Sequence, residues 1–541
     1  MAASRPGSDP PETTPRGGAP APRIPLPPGE ALTVLLAAAP ARPTLSLSAV
    51  ECASLPPGAA FDFVVDDDAG GRCALSPLPF ADARFARVIV DLRRVWPRGR
   101  GAAAAAAEID RVLAPDGELL VLAGNRHGRQ HFGALARAGR DAGSVFGRMV
   151  AQARTALTLV RDWRRQPHAR ALERFLRDAR CPATRWYWPV RDGGGRLHAI
   201  RALPVSLPRI LSVADEHVVR ATRQRLAPSV VDACLVAAGD CLPGAVGPAV
   251  AEHLLVTAKE KAVVFARHGE RRVVIRLPLT AAARAGAERN FATLTELADR
   301  PGLRARVPAA LGAGTLGEGQ WSYSIEGRVP GAPAAGEGPP LAQVEALLRA
   351  LNPAPRGVVL AGADYHRLVR APLRAALAGA TDNVAARRLR RFVDQRLCGA
   401  RVALGLRHGD CSVGNIHVRE GAVCGLIDWD DSAGEAITLD DAIGHLSSRV
   451  IRRGHGFAAT FAGIATQDLL DPCEREFLTR CYDHCGVEPA LHPALTLLCW
   501  ARVVAAQRDF AFARQPAFRA ARLDALLACV SADERFAPAP R

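Results

Sequence analysis

Lysine is almost missing from this chain. Of 70 basic residues only Lys259 and Lys261 are lysines, so the net charge of +16 is carried by arginine. Heavy use of arginine and alanine together reads as a coding bias spread over a solvated surface, since net charge speaks to solubility and partners and not to fold. Aromatics make up only 5% of the sequence and no arginine-aromatic platform occurs, so no nucleic-acid partner is expected. The thirteen cysteines include no C-x-x-C pair. Their densest group, Cys473, Cys481 and Cys485 beside His484, lacks the second ligand pair of a zinc site and is expected to be helical core. Reduced thiols fit a cytoplasmic location. Long apolar runs are also lacking: none reaches the roughly 18 residues of a membrane span, so no membrane insertion is expected. The run Leu32 to Ala39 has the length of a signal-peptide core, but Asp9, Glu12, Glu30 and many prolines precede it, and it reads as a first buried strand.

What remains is a globular composition, 49% hydrophobic over 541 residues, too long for one ordinary core. Residues 1–29 are rich in Pro, Gly and Ala and are expected to be a disordered tail. From 30 to 210, short apolar runs alternate with helical stretches. Strands are predicted at Phe61–Val65, Ala86–Val90 and Glu118–Leu122, with a helix from Ala102 to Leu113. Strand, helix and strand at this spacing predict a parallel, Rossmann-like α/β sheet. Residues 126–180 read as largely helical and Arg185–Val190 as an aromatic strand. Residues 211–250 read as a connection with a helical patch. From 251 to 541 the pattern changes. Three short runs, 254–256, 262–265 and 272–276, predict an antiparallel meander, followed by a helix over about 281–299 and strands near 309–311 and 321–325. Beyond Gly331 the chain reads as helices, interrupted by a loop region around 405–430.

That loop region is the most informative segment: Leu406-Arg407-His408-Gly409-Asp410-Cys411-Ser412-Val413-Gly414-Asn415-Ile416-His417-Val418, then Cys424-Gly425-Leu426-Ile427-Asp428-Trp429-Asp430. Phosphoryl transfer needs a carboxylate beside the acceptor hydroxyl and oxygen ligands for magnesium on the nucleotide's phosphates. Asp410 on a loop, Asn415 five residues on and Asp428 after a hydrophobic run meet that need. A hairpin of 416–418 against 423–427 would return Asp428 to Asn415.

This string resembles the aminoglycoside phosphotransferase and choline kinase family, whose pattern is H-G-D, four residues, N, a strand pair and I-D-W-[DE]. The resemblance implies an α+β, protein-kinase-like, two-lobed domain over 251–541. It implies that Asp410 is the catalytic base, that His408 supports the loop, and that Asn415 and Asp428 hold Mg2+ against ATP. Downstream, Gly434 and then Asp440 or Asp441 before Ala442 form a looser match without the family's proline, and Asp440 is expected to buttress the loop. In the first lobe the family places a lysine on the third strand, where this chain has Arg276, a wider and planar cation. Glu288 on the following helix, or else Glu296, would pair with it. Lys259 and Lys261 fall in the turn that covers the phosphates. Ser324 to Gly331 resembles the family's hinge, where backbone groups around Glu326 to Arg328 would meet the adenine.

Two further segments, Leu78–Phe85 with Val88–Val90, and Ala107–Leu119, resemble class I S-adenosylmethionine methyltransferases around their fourth and fifth strands. The glycine-rich turn that lets such a backbone approach its cofactor has no counterpart in Ala37–Pro43, and Glu51 is the one candidate for a ribose contact. A degenerate methyltransferase-like fold is therefore expected, with Asp66–Asp68 a solvated loop. The function implied is transfer of the γ-phosphate of ATP to a hydroxyl of a small molecule such as a sugar, amino alcohol or aminoglycoside-like acceptor. The alternatives are a non-catalytic nucleotide-binding scaffold and a bifunctional methyltransferase-kinase.

Overall fold

The computed structural model describes residues 44–48, 61–64, 67–68, 72–73, 78, 80–92, 100–124, 169–191, 197–202, 216–224, and 226–537 apart from 243, 245, 246, 318 and 320. The tail 1–29, the strand predicted at 32–39, the segment 37–43 and Glu51 lie outside these residues.

The N-terminal part supplies β1 (Thr44–Ser48), β2 (Phe61–Val64), β3 (Phe85–Leu92), α1 (Arg100–Val112) and β4 (Leu113–Gly124). Then come α2 (Ala169–Asp178), β5 (Ala183–Arg191), β6 (Leu197–Ala202) and β7 (Glu216–Thr222). β2, β1, β3 and β4 are parallel neighbours in that order, and β7 runs antiparallel between β4 and β5. Val88, Val90, Leu119 and Val121 of the two central strands are buried with Ile109 of α1 and Trp186 of β5. Such β-branched, nearly continuous apolar strands are what a sheet covered on its faces requires. Asp67–Asp68, predicted as loop, pairs with Arg72–Cys73 in a two-residue ladder.

The C-terminal part opens with the antiparallel strands β8 (Val250–Val256), β9 (Lys261–His268) and β10 (Arg271–Pro278), then α4 (Ala281–Leu297), β11 (Ala310–Leu316) and β12 (Trp321–Gly327), preceded by α3 (Val230–Asp240). β9 and β10 join through a two-residue turn that pairs His268 with Arg271, and Gly269 supplies its φ of 59°. β8 bonds to β6 through Leu254–Ile200 and Leu255–Ala199. One twelve-stranded sheet therefore runs through both parts, in the order β11-β12-β10-β9-β8-β6-β5-β7-β4-β3-β1-β2.

The predicted connection 211–250 contains the expected helical patch, α3, but is more than a connection. β7 belongs to the N-terminal sheet, and α3 is a capped helix: Ser229 and Asp232 form a reciprocal capping box. Asp232 also accepts from Arg185 of β5 at 2.6 Å. Val230, Val231, Cys234 and Leu235 of α3 share a core with Leu120, Leu122 and Val218 on one side and Val264, Ile275 and Leu277 on the other. The chain reverses after α3 because Gly239 lets the Gly247 carbonyl approach where a Cβ would stand at 2.3 Å.

Beyond the sheet, β13 (Ala332–Pro333), α5 (Leu341–Leu351), β14 (Arg356–Val359), α6 (Asn383–Leu397), β15 (Arg401–Arg407), β16 (Ile416–Arg419), β17 (Ala422–Leu426), β18 (Ala433–Ile437) and α7 (Leu439–Arg452) follow. The small sheet of β14, β15 and β18 was not predicted. The remaining helices include α8 (Phe457–Ala465), α9 (Pro472–Cys485) and α10 (His492–Gln507). Pro489–Gln507 does have the length and hydropathy of a membrane span, against expectation, but 61% of that window is buried. Leu495, Leu498 and Trp500 there pack in the helical core.

Val230, Val231 and Leu235 of α3 together bury enough apolar surface to contribute about 5–9 kcal/mol, comparable with the whole stability of a domain. A chain shortened to residues 251–541 is therefore expected to be less soluble, and to unfold at lower temperature, than one retaining 216–541. Equal melting of the two would show that α3 does not complete this core.

Candidate active site

The H-G-D loop leaves β15 under tight control. Asn352, after α5, accepts from Leu406 N–H at 2.8 Å and donates to its carbonyl at 2.7 Å. The buried Asp441 carboxylate then accepts the N–H groups of His408 (2.7 Å) and Gly409 (2.8 Å). Burial pushes the Asp441 carboxyl above its ordinary value, and the bonds from His408 and Gly409 oppose that shift. Asp441, and not the expected Asp440, thus holds the loop. Asp440 faces the other way, toward Arg407 at 3.1 Å and Arg502 at 2.5 Å. Gly409 has a φ of 86°, and a Cβ there would stand 2.2 Å from the Asp431 carbonyl oxygen.

His408 is fully buried. Its Nδ1 accepts the Asp410 N–H at 3.2 Å and its Nε2 lies 3.0 Å from the Ile427 carbonyl. That pair of partners fixes a neutral ring with the proton on Nε2. Trp429 packs against it edge-on, with centroids 4.4 Å apart. Three residues of one α7 face, at helical spacing, carry the rest of the loop. Asp441 is the first, His445 meets the Cys411 carbonyl at 3.2 Å, and Ser448 accepts the Val413 N–H at 2.9 Å.

Asn415 donates its amide to the Asp410 carbonyl at 2.9 Å. Ile416 pairs with Leu426 across the hairpin, and Ile427 N–H reaches the Asn415 backbone carbonyl at 3.0 Å. Asp428, next in the chain, takes a φ of 69°, a strained region for a residue with a side chain. The hairpin therefore brings Asp410, Asn415 and Asp428 to one end.

The sheet supplies the opposing charges. Lys259 contacts Asp431 at 2.7 Å and Asp410 at 3.3 Å. Lys261, 2% exposed, contacts Asp428 at 2.5 Å and also Asp430. Arg276 donates to Glu326 through Nε (3.1 Å) and Nη2 (2.9 Å), and to Asp428 through Nη1 (2.8 Å). Burial alone would raise the Asp428 carboxyl, but Lys261, Arg276 and Lys259 hold it well below the carboxylate range. Burial would likewise lower Lys259, and Asp410, Asp431 and Asp428 outweigh it, so its ammonium stays above the ordinary lysine value.

Two expectations about Arg276 and the hinge are corrected. Glu288 and Glu296 are exposed on α4, and the partner of Arg276 is Glu326. The inward residue of α4 is Asn290, which donates to Glu326 at 3.0 Å and accepts the Trp429 N–H at 2.9 Å. Glu326 is thus a buried side chain and not merely a backbone contact. The Gly327 and Arg328 N–H groups are already taken by Ala309 and Arg272, and the Arg328 side chain lies beside Phe265 and Glu252. Gly331, with a φ of 80°, lets the chain cross the hairpin where a Cβ would meet the Val418 carbonyl at 2.4 Å. A cavity of about 110 Å³, bordered by Lys259, Gly286, Arg289, Asp430, Asp431 and Phe510, adjoins the cluster.

The donor set fits a hard divalent cation. The side-chain oxygens of Asn415 and Asp428 are hard donors, and magnesium is commonly held by one or two protein oxygens together with substrate phosphates.

Residues 258–463 match the model of the phosphotransferase enzyme family, APH, so this segment is a domain of that family. No curated protein matches the sequence. Among solved structures, a protein of Ralstonia eutropha assigned as an aminoglycoside phosphotransferase is 15% identical, with a TM-score of 0.40, covering 55% of this chain and 97% of that one. A macrolide 2'-phosphotransferase from Brachybacterium faecium is 16% identical at a TM-score of 0.35, covering 50% and 91%. An aminoglycoside phosphotransferase from Streptomyces rimosus is 16% identical at 0.30, covering 44% and 89%. These likenesses are too weak to add to the family match.

Two predictions concern the loop. Asp441→Ala leaves two buried N–H groups without a partner, at about 1–3 kcal/mol each. A lower unfolding temperature is expected, measured by calorimetry, and an unchanged one would remove Asp441 as the support. The second concerns His445, which burial lowers from 6.5 to about 4. The folded ring stays neutral while the unfolded one gains a proton below its ordinary value, so this contribution is complete above pH 6.5 and fades as pH falls toward 4. It amounts to roughly 3 kcal/mol. Denaturant midpoints at about pH 7.5 and about pH 4.5 should differ less in His445→Gln than in the wild type.

Proposed function

We propose that the 251–541 domain is an ATP-dependent phosphotransferase that moves the γ-phosphate to a hydroxyl of a small molecule. The observation that carries this reading is the meeting of Asp410, Asn415 and Asp428 at one end of a short hairpin, opposite Lys259 and Lys261, within a segment that matches a phosphotransferase family.

In this reading Asp410 takes the proton of the acceptor hydroxyl while that oxygen bonds to the γ-phosphorus and the bond to the β-γ bridging oxygen breaks. The proton ends on the Asp410 carboxylate, and the leaving electron pair ends on the nucleoside diphosphate. His408, neutral and buried, keeps the Asp410 backbone in place. Asn415 and Asp428 would hold magnesium, which when bound draws charge from the phosphates and aligns them. The Lys259 ammonium occupies the Asp410 carboxylate when no acceptor is there, so the acceptor hydroxyl exchanges with it. The hydroxyl acceptor would be a sugar, an amino alcohol or an aminoglycoside-like compound.

A second reading, a nucleotide-binding scaffold without transfer, is favoured by one observation: Lys261 and Arg276 both sit on Asp428, where the metal would bind. For the N-terminal domain, the parallel pairing of β3 with β4 across α1 is shared by α/β sheets in general and singles out no methyltransferase-like fold.

The test is transfer from γ-labelled ATP across a panel of hydroxyl metabolites, with wild type and Asp410→Asn. Loss of the general base is expected to cost about 10²–10⁴-fold in turnover, with nucleotide binding retained. Nucleotide binding without transfer to any acceptor would favour the scaffold, and no nucleotide binding would end both readings.

A further inference from the structure

Two buried cations of the sheet converge on the same carboxylate oxygen. Lys261 reaches Asp428 Oδ1 at 2.5 Å and Arg276 reaches it at 2.8 Å. They can do so because the β9–β10 register sets Val263 opposite Arg276 and Lys261 opposite Pro278. Opposed residues share a face, and so do residues two apart on a strand. The two head groups therefore leave the sheet on one side, a residue pair apart, and only their other partners distinguish them.

Those partners differ in kind. The Arg276 fork is taken up by a second acid: Nε and Nη2 grip both oxygens of Glu326, at 3.1 and 2.9 Å. Glu326 is itself buried and bonded by Asn290. Turning this guanidinium toward a phosphate would leave that buried carboxylate with the Asn290 amide alone and, among the described residues, no cation against it. Lys261 is tied differently. Its ammonium donates to Asp428, whose side chain is 20% exposed, and to Asp430, which is as buried as Glu326 but borders the cavity beside the cluster. It is a compact charge with three donors on an unbranched stem. Its backbone is nonetheless fixed, because the Lys261 carbonyl accepts the Thr257 N–H at 2.9 Å and closes the turn.

Resting on the phosphotransferase reading, we propose that Lys261 of β9, and not Arg276 of β10, is the cation that holds the nucleotide's phosphates. Arg276 is a positioning residue that braces Glu326 and, through it, the strand leading to the hinge. In this arrangement the phosphate-holding lysine stands on the second strand, and Glu326 on β12 pairs with the cation of the third, Arg276.

The test measures binding of Mg-ADP and of adenosine, by titration calorimetry, to the full chain as wild type, Lys261→Met and Arg276→Met. Adenosine lacks phosphates and reports whether the site is folded. In Lys261→Met the dissociation constant for Mg-ADP is expected to rise about tenfold or more while that for adenosine stays within about twofold. In Arg276→Met both constants are expected to rise by the same factor, with a lower melting temperature. An unchanged Mg-ADP constant in a Lys261→Met protein that still binds adenosine overturns the assignment. So does a loss confined to Mg-ADP in Arg276→Met, and that outcome counts whether or not Lys261→Met folds. If the wild type binds neither compound, the phosphotransferase reading itself fails and takes this one with it.

Discussion

Three cations from the sheet, Lys259, Lys261 and Arg276, close on four carboxylates carried by the other lobe, Asp410, Asp428, Asp430 and Asp431. Charges this buried are costly to strip of water unless each finds a partner. The cost falls on whichever lobe strays, so the cluster sets the distance between sheet and helices as well as the chemistry of the cleft. The same logic explains the bonding around it. Asn290 joins the Glu326 carboxylate to the Trp429 backbone, and the Asp430 carbonyl is met by Arg289 at 2.9 Å.

Beneath that cluster lies a second, quieter arrangement. Asp441, His445 and Ser448 form one stripe along α7, and each satisfies a backbone group of the H-G-D loop. The loop contains a left-handed glycine and runs without a ladder of its own. Its shape is therefore specified from below by a helix whose contribution is almost wholly to position and not to touch any reactant.

How much of this was legible in the sequence followed from the distances involved. Asp410, Asn415 and Asp428 lie close together along the chain, and a single hairpin relates them, so spacing alone brought them together. Glu326 was legible as a hinge residue but not as the partner of Arg276, because that pairing depends on which strands adjoin. Charge pointed to Glu288, with Glu296 as the alternative, and not to an uncharged amide. Two residues along a helix change the face, and the face turned to the sheet belongs to Asn290. Asp440 and Asp441 posed the same problem on α7, where adjacent residues point to different neighbours. The helix α3 was legible as a helical patch but not as part of a core, because its apolar face is completed by strands from both sides.

The shared sheet changes what can move. In a two-lobed fold with a free small lobe, either half can rock. Here β8 is hydrogen-bonded to β6, and α3 packs against strands of both parts, so the strands carrying Lys261 and Arg276 are stiffened by those of the N-terminal domain. Bending is then left to the short crossing at Val329–Gly331, a single strand of chain against the β16–β17 hairpin. Breathing of the cleft becomes a swing of the helices about that crossing, with the sheet as the anvil.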